Sequence, residues 1–522
     1  SPDGKTIAYT LNVDPENPEE TPLDPKAPAK VRVVRNADYK FDGAGYRGQT
    51  KTQVFTLDVA SGTKKQLTSA QVDHMNLCWS PDGKNLAVTL WFDGPFSTAI
   101  ALIDPETGDT TRLTEPDTMT GSLSWSPDSG KLFYDYEQFG YRILDVASKT
   151  VREVSADIGF TPDSQATNPA VWRDEKTVLV HGYTGTGSGL WTIDIETGTP
   201  TQIVSWDAIH GGLTPIPGSD TLLQSVGDLG GTAGVATIDP ATGAKTLLFD
   251  EGTPFASHTP PAQWELISIE RTGYKIEAIL LKPSNFDARR TYPIILDVHG
   301  GPQGAHMQRI EPNSQVMASN GFLVLMPNPR GSTNYGREFS EAVYDDWGNE
   351  DWKDLQAILD KALELPYVDK DRTGIYGYSY GGYMTSWAIG HTDRFKAAVC
   401  GAPPFDLESM YGTSDVSYVL GHKQWGGTPW EGREEYKTIS PSEYIHNATT
   451  PTLIVHGEAD ERCPIGQGEQ MFISLKKLGV ETQFVRYPGG SHGFAWRGEP
   501  AHRIDFYTRI LAWFKKYLGD PV

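Results

Sequence analysis

The first half of the chain repeats itself, and a repeat limits the available folds more than any single motif does. An apolar stretch ending in aspartate, then a Thr-Gly or Ser-Gly turn and often Leu-Thr, occurs as VFTLDVASG at Asp58 and IALIDPETG at Asp104. It returns as RILDVASK at Asp145, LWTIDIETG at Asp194 and VATIDPATG at Asp239, with the aspartates 46, 41, 49 and 45 residues apart. A second element interleaves with it: S-P-D-G-K at Ser1, W-S-P-D-G-K at Trp79 and W-S-P-D-S-G-K at Trp125. Short runs of alternating apolar and polar residues between turn signals are strands, and about four of them per unit of roughly 40–50 residues make a β-propeller blade. One four-stranded sheet cannot bury both faces, whereas blades stacked around an axis can. A repeat-free sandwich would not hold this spacing over five units. Between Leu11 and Gln49 the rhythm breaks at PENPEETPLDPKAPAK, whose prolines and charges predict a loop, either an arm over the propeller face or a disordered excursion.

Near residue 258 the repeat stops, and ASHTPPAQ reads as a linker, placing a propeller at 1–258 and a second domain at 259–522. WELISI, KIEAILL, YPIILDVHGG, GFLVLMPN, RTGIYGYS, FKAAVCGAP, TLIVHGE and TQFVRYP read as strands. Helical patterns lie between them at 349–365, 466–478 and 503–518. Near-continuous apolar strands alternating with helices predict an α/β fold with a mostly parallel sheet, whose ligand site lies at the C-terminal strand ends.

G-x-S-x-G occurs twice, at Gly377–Gly381 and Gly489–Gly493, so the pattern alone cannot choose the nucleophile. Ser379 follows a strand and precedes a helix, the strand–elbow–helix setting that raises a serine above the sheet. Gly377 and Gly381 fit a turn too tight for Cβ atoms. The segment after Ser491 carries Gly498 and Pro500 and is not expected to form a helix directly behind a nucleophile. A serine hydroxyl needs a base, and the base an orienting acid, arriving in the order Ser, Asp or Glu, His. Asp460 lies just past the strand TLIVHGE, and His492 in the glycine-lined loop after TQFVRYP, so Ser379, Asp460 and His492 are the expected triad. Glu458 is the weaker candidate acid. His456, Glu458, Asp460 and Cys463 carry no H-E-x-x-H or paired C-x-x-C pattern, so no metal and no cofactor is expected. His422 and His446 read as surface or structural residues. The oxyanion donors should be the Tyr380 N–H, next after the nucleophile, and the Gly301 N–H in H-G-G-P. The H-G-G at His210–Gly212 falls in the propeller and reads as a blade loop.

YPIILDVHGGP, NPRGSTNYGREF, DWGNEDWKDL, GIYGYSYGGYMT, LIVHGEADERCP and the GGSHGF loop together resemble the prolyl oligopeptidase family of serine peptidases, in particular its acylaminoacyl-peptidase branch. The resemblance implies a seven-bladed propeller restricting entry to short peptides. With five units visible, about two blades are expected upstream of Ser1 or cleaved off, making this a β-propeller incomplete at its N-terminus followed by an α/β-hydrolase domain. It also implies that Arg462, two residues after the acid, binds the P2 carbonyl, and that Phe405, Met410 and Tyr411 form an apolar S1 pocket. The family's dipeptidyl-peptidase branch grips a free amino terminus with paired propeller glutamates. Glu19-Glu20 is the adjacent pair here and reads as solvated surface.

The expected function is therefore a serine exopeptidase or oligopeptidase releasing N-acylated amino acids or short N-terminal fragments. The alternatives are dipeptidyl-peptidase or esterase activity, and a propeller binding protein with an inert hydrolase domain. Activity should fall in acid as the histidine base is protonated. A formal charge of −22 argues against nucleic acid as a partner. No apolar run approaches a membrane span, and the three scattered cysteines predict no disulfide framework, so a cytoplasmic protein is expected, with homo-oligomerisation open.

Overall fold

The computed structural model describes residues 1–15, 31–92, 94, 96–163, 170–216 and 218–520. Apart from Pro15, the Pro-rich stretch and its Glu19-Glu20 pair lie outside these residues. Each repeat unit forms one antiparallel sheet, and five such blades make the propeller. The first blade has three strands, Thr6–Val13, Lys51–Asp58 and Lys64–Gln66. The fifth runs from Ile209 to Asp250 in four strands.

The repeated aspartate closes the hairpin between the last two strands of each blade. Its carboxylate accepts backbone N–H groups two or three residues on: Ser61 at 2.7 Å for Asp58, Thr107 at 2.9 Å for Asp104, Ser148 at 2.8 Å for Asp145, Thr197 at 2.9 Å for Asp194 and Ala241 at 2.8 Å for Asp239. These bonds hold all five carboxyls below the ordinary carboxylate pKa. Four residues after each aspartate the backbone turns left-handed, at Gly62, Gly108, Gly198 and Gly243, and in the third blade at Lys149 with φ 59°. Glycine is free in that region, and the one unit lacking it carries the strain on lysine. The S-P-D-G-K element turns the first two strands of a blade: Ser80 Oγ donates to Asp82 and accepts the Asn85 N–H, and Ser126 does the same with Asp128 and Lys131.

A short helix, Gly252–His258, follows the last blade, so the segment read as a linker begins inside a helix. Its Pro254 sits in the first turn, where no intrahelical N–H is needed. The hydrolase sheet follows as β1 (Trp264–Arg271), β2 (Tyr274–Leu281), β3 (Tyr292–Val298), β4 (Leu323–Asn328), β5 (Val368–Tyr378), β6 (Ala397–Gly401), β7 (Thr452–Gly457) and β8 (Thr482–Tyr487). Their spatial order is β1-β2-β4-β3-β5-β6-β7-β8, parallel from β4 onward and antiparallel at β1 and β2. Every residue of β3, β4, β6 and β7 is buried, because helices cover both faces. Helix α1 (Glu350–Leu363) buries Trp352, Leu355, Ile358, Leu359 and Ala362, a stripe of helical period. Helix α2 (Tyr380–His391) is buried from Tyr380 to Gly390 and runs through the centre of the domain.

Two of the quoted motifs meet in a buried ionic cluster. Arg330 pairs with Asp354 at 2.8 Å and Glu350 at 2.7 Å, and Arg271 pairs with the same two carboxylates. It ties β1, the end of β4 and α1 together. Asn334 crosses to the propeller, receiving a bond from Gly185 N–H on its carbonyl and donating its own N–H to Thr161 Oγ1.

Candidate active site

β5 ends at Tyr378 and α2 begins at Tyr380, leaving Ser379 alone on the turn with φ 62° and ψ −122°. Such a conformation costs about 1–3 kcal/mol and persists only where the surroundings enforce it. The two flanking glycines allow it. A Cβ on Gly377 would lie 2.1 Å from Gly381 O, and one on Gly381 would lie 2.0 Å from Val298 O at the end of β3. Backbone cannot retreat as a side-chain tip can. Gly381→Ala should therefore destabilise the domain by at least about 3 kcal/mol, the upper end of overpacking costs, read as a lowered thermal midpoint.

The base and acid arrive from β8 and β7. His492 Nε2 lies 2.9 Å from Ser379 Oγ, and His492 Nδ1 lies 2.8 Å from Asp460 Oδ2. A carboxylate only accepts, so the Nδ1 proton faces Asp460 and the Nε2 lone pair faces the serine hydroxyl. Burial alone would raise the Asp460 pKa, but the charge of His492 and hydrogen bonding from His456 and His492 overcome it and hold the carboxyl far below its ordinary range. Asp460 Oδ1 is occupied by the Cys463 N–H at 2.8 Å, which fixes the carboxylate plane. Glu458, the other candidate acid, pairs with Arg486 at 2.8 Å instead.

The second G-x-S-x-G is the loop carrying the base. Gly490 packs against Gly457, where a Cβ on Gly457 would lie 2.2 Å from Gly490 O, and Ala459 N–H donates to that same oxygen at 2.9 Å. The histidine and aspartate loops are thus joined backbone to backbone. A single helical turn, Phe494–Arg497, does follow Ser491, contrary to expectation. It ends at Gly498, and Pro500 then opens the last helix at a position that needs no N–H.

Gly301 and Tyr380 face Ser379 across one small cavity of about 70 Å³. The Tyr380 N–H is at the first position of α2, where helices leave N–H groups unpaired. Its ring is buried and its hydroxyl donates to Asp351, a carboxyl that burial pushes up to about 7. Trp347, Pro404, Met410, Val416, Leu420 and Trp425 also line this cavity, with Arg462 at its side. Of the three residues that the resemblance assigned to an S1 pocket, Met410 lines this cavity and Phe405 and Tyr411 do not. Phe405 is buried in the domain core, and Tyr411 turns its ring to Trp430 and Tyr436. Met410 and Tyr411 are neighbours on one helix, about 100° apart around its axis. Trp347 belongs to DWGNEDWKDL, which signalled the family without signalling this role. Arg462 gives its Nε to Asp415 at 2.8 Å, and its guanidinium lies over Phe41, 5.7 Å from the ring centre.

A second, larger cavity of about 450 Å³ also reaches Ser379, between the hydrolase residues His299, His306 and Trp496 and the propeller residues Asp163 and Tyr183. The His210 copy of H-G-G lies in the first strand of the fifth blade rather than in a loop, with His210 bonded to Ser188 Oγ at 3.1 Å. His456 Nε2 donates to the Cys463 carbonyl at 2.7 Å, and no metal-binding group of three His, Cys, Asp or Glu occurs among the described residues.

A serine on a strained elbow, bonded to a histidine that is bonded to a buried aspartate, under a propeller, defines a propeller-capped serine hydrolase. Residues 308–521 match the prolyl oligopeptidase family. The uncharacterized peptidase YuxL of Bacillus subtilis (strain 168) is 35% identical over 99% of this chain and 82% of its own length. The chain therefore belongs to the prolyl oligopeptidase family and is a serine peptidase. A probable dipeptidyl-peptidase 5 of Emericella nidulans is 29% identical over 74% of this chain, which spans about half, 54%, of that relative. Among solved structures, Pyrococcus horikoshii acylaminoacyl peptidase shares the fold with a TM-score of 0.80 at 23% identity, covering 99% of this chain and 80% of its own. No helix among the described residues is long and apolar enough to cross a membrane.

Proposed function

We propose that the protein hydrolyses short peptides by an acyl-enzyme route, releasing N-acylated amino acids or short N-terminal fragments. The carrying observation is the unbroken chain Ser379 Oγ–His492–Asp460 opening onto two cavities of different size. Ser379 Oγ attacks the scissile carbonyl as His492 Nε2 takes its proton, and Asp460 stabilises the resulting imidazolium. The Gly301 and Tyr380 N–H groups receive the oxyanion, each donor contributing about 10²–10³ in rate. His492 returns the proton to the leaving amine, and water then repeats the sequence on the acyl-enzyme. The small cavity takes the P1 side chain, and the larger one gives room to the departing segment.

The aromatic and aliphatic walls of the small cavity favour an uncharged P1, because an unpaired charge there would lose its hydration. A panel of anilides and esters tests the reading through kcat/KM. Apolar P1 residues should exceed lysine by at least about 10²-fold, the equivalent of some 2.7 kcal/mol. N-acetylaminoacyl anilides should be cleaved in preference to simple acyl esters. Preference for esters would make the protein an esterase on this scaffold. Preference for dipeptidyl anilides with a free amino terminus would place it with its dipeptidyl-peptidase relatives.

A further inference from the structure

The catalytic loops are anchored by a residue of the other domain. The propeller's interrupted first blade sends out a hairpin, Lys40–Phe41 paired with Gly45–Tyr46. Its root is fastened to the propeller: Arg47 pairs with Asp73 at 2.6 Å, and Lys51 pairs with Asp38. Its tip reaches the hydrolase domain. Lys40 Nζ donates to the Thr413 carbonyl and to Glu461, both at 2.6 Å, and the Asp42 N–H donates to Asp415 Oδ2 at 2.8 Å.

Asp42 turns its carboxylate to the two loops that carry the base and the acid. One oxygen, Oδ1, accepts the backbone N–H of His492 at 2.9 Å and that of Glu461, the residue after Asp460, at 3.1 Å. We infer that Asp42 is a positioning residue for the peptidase reaction, a propeller carboxylate that fixes His492 relative to Asp460 by accepting both loop amides. The inference rests on the triad reading above. Asp42 adds a propeller anchor at the His492 N–H to the hydrolase domain's own, the Tyr378 hydroxyl that donates to the His492 carbonyl at 3.0 Å. A misplacement of about 1 Å in a reacting group can cost about 10²-fold in rate, so an acceptor at this position acts on the chemical step. It does not touch the 70 Å³ cavity, whose lining residues exclude it, so it should leave substrate binding alone.

The acceptor can be removed without removing the hairpin, since the Asp42 bond to Asp415 uses backbone. Asp42→Ala should lower kcat about 10–100-fold with KM unchanged. Asp42→Asn keeps an oxygen that can accept both amides and should restore most of that loss. Parent kcat in Asp42→Ala overturns the inference. So does a rise in KM at unchanged kcat, or an Asp42→Asn variant as slow as Asp42→Ala. Should Asp42→Ala fail to fold, Asp42→Asn alone decides: near-parent kcat supports an acceptor, and an alanine-sized loss expected of a missing anchor overturns it. Ser379→Ala in the same assay separates the two readings. Activity surviving there overturns the triad itself, whereas an inactive Ser379→Ala beside a fully active Asp42→Ala overturns only the role of Asp42.

Discussion

Ser379→Ala should reduce kcat by about 10⁶-fold, and a fluorophosphonate probe should no longer label the protein. Only Oγ is removed. Alanine keeps the Cβ that already tolerates φ 62°, so the elbow and the two cavities it lines remain. Peptide affinity should hardly change, since the 70 Å³ cavity and Arg462 are intact. What disappears is the bond-forming atom and, with it, any use for the base 2.9 Å away. Residual turnover of about 10³–10⁴ over water from the oxyanion donors and binding is expected and compatible with the assignment. A variant retaining more than about a thousandth of parental kcat would place the nucleophile elsewhere.

Asp460→Asn should cost about 10⁴-fold in kcat with the fold preserved. The reason is local geometry. The Cys463 N–H, 2.8 Å from Oδ1, requires an acceptor at that position and keeps the amide oxygen there. The new NH₂ then faces His492 Nδ1, which must accept from it. The ring proton moves to Nε2, the face toward Ser379, and the histidine can no longer receive the hydroxyl proton. In the parent protein Asp460 stays ionised through the acid range, because the His492 charge and the two histidine bonds outweigh its burial. Activity in Asp460→Asn within about tenfold of the parent would show that the acid lies elsewhere.

Ser379 and His492 stand out in the sequence because each carries its own local signature. Ser379 has glycines at −2 and +2 where a Cβ would strike backbone, and His492 follows the Gly489-Gly490 pair whose closeness to Gly457 the structure explains. The blades were legible for a similar reason, since one aspartate and one left-handed position recur at every outer hairpin. The pocket walls were not. Val416, Leu420 and Trp425 lie on or cap one helix, Ser417–Gln424, Trp347 comes from another segment, and nothing near either in the chain says that the two meet at one cavity. On the helix Leu407–Thr413 the resemblance chose both Met410 and Tyr411, and of the two Met410 lines the cavity.

Asp42 marks the limit. It follows a Pro-rich break in the repeat, has no motif around it, and meets His492 across 450 residues of chain. The sequence by itself determined the blades, the parallel sheet and the order Ser379, Asp460, His492, because turn chemistry and hydrophobic period act over a few residues. Only the tertiary structure decided which side chains wall the small cavity beside Ser379 and which propeller carboxylate accepts the His492 N–H, because those contacts join segments far apart in the chain.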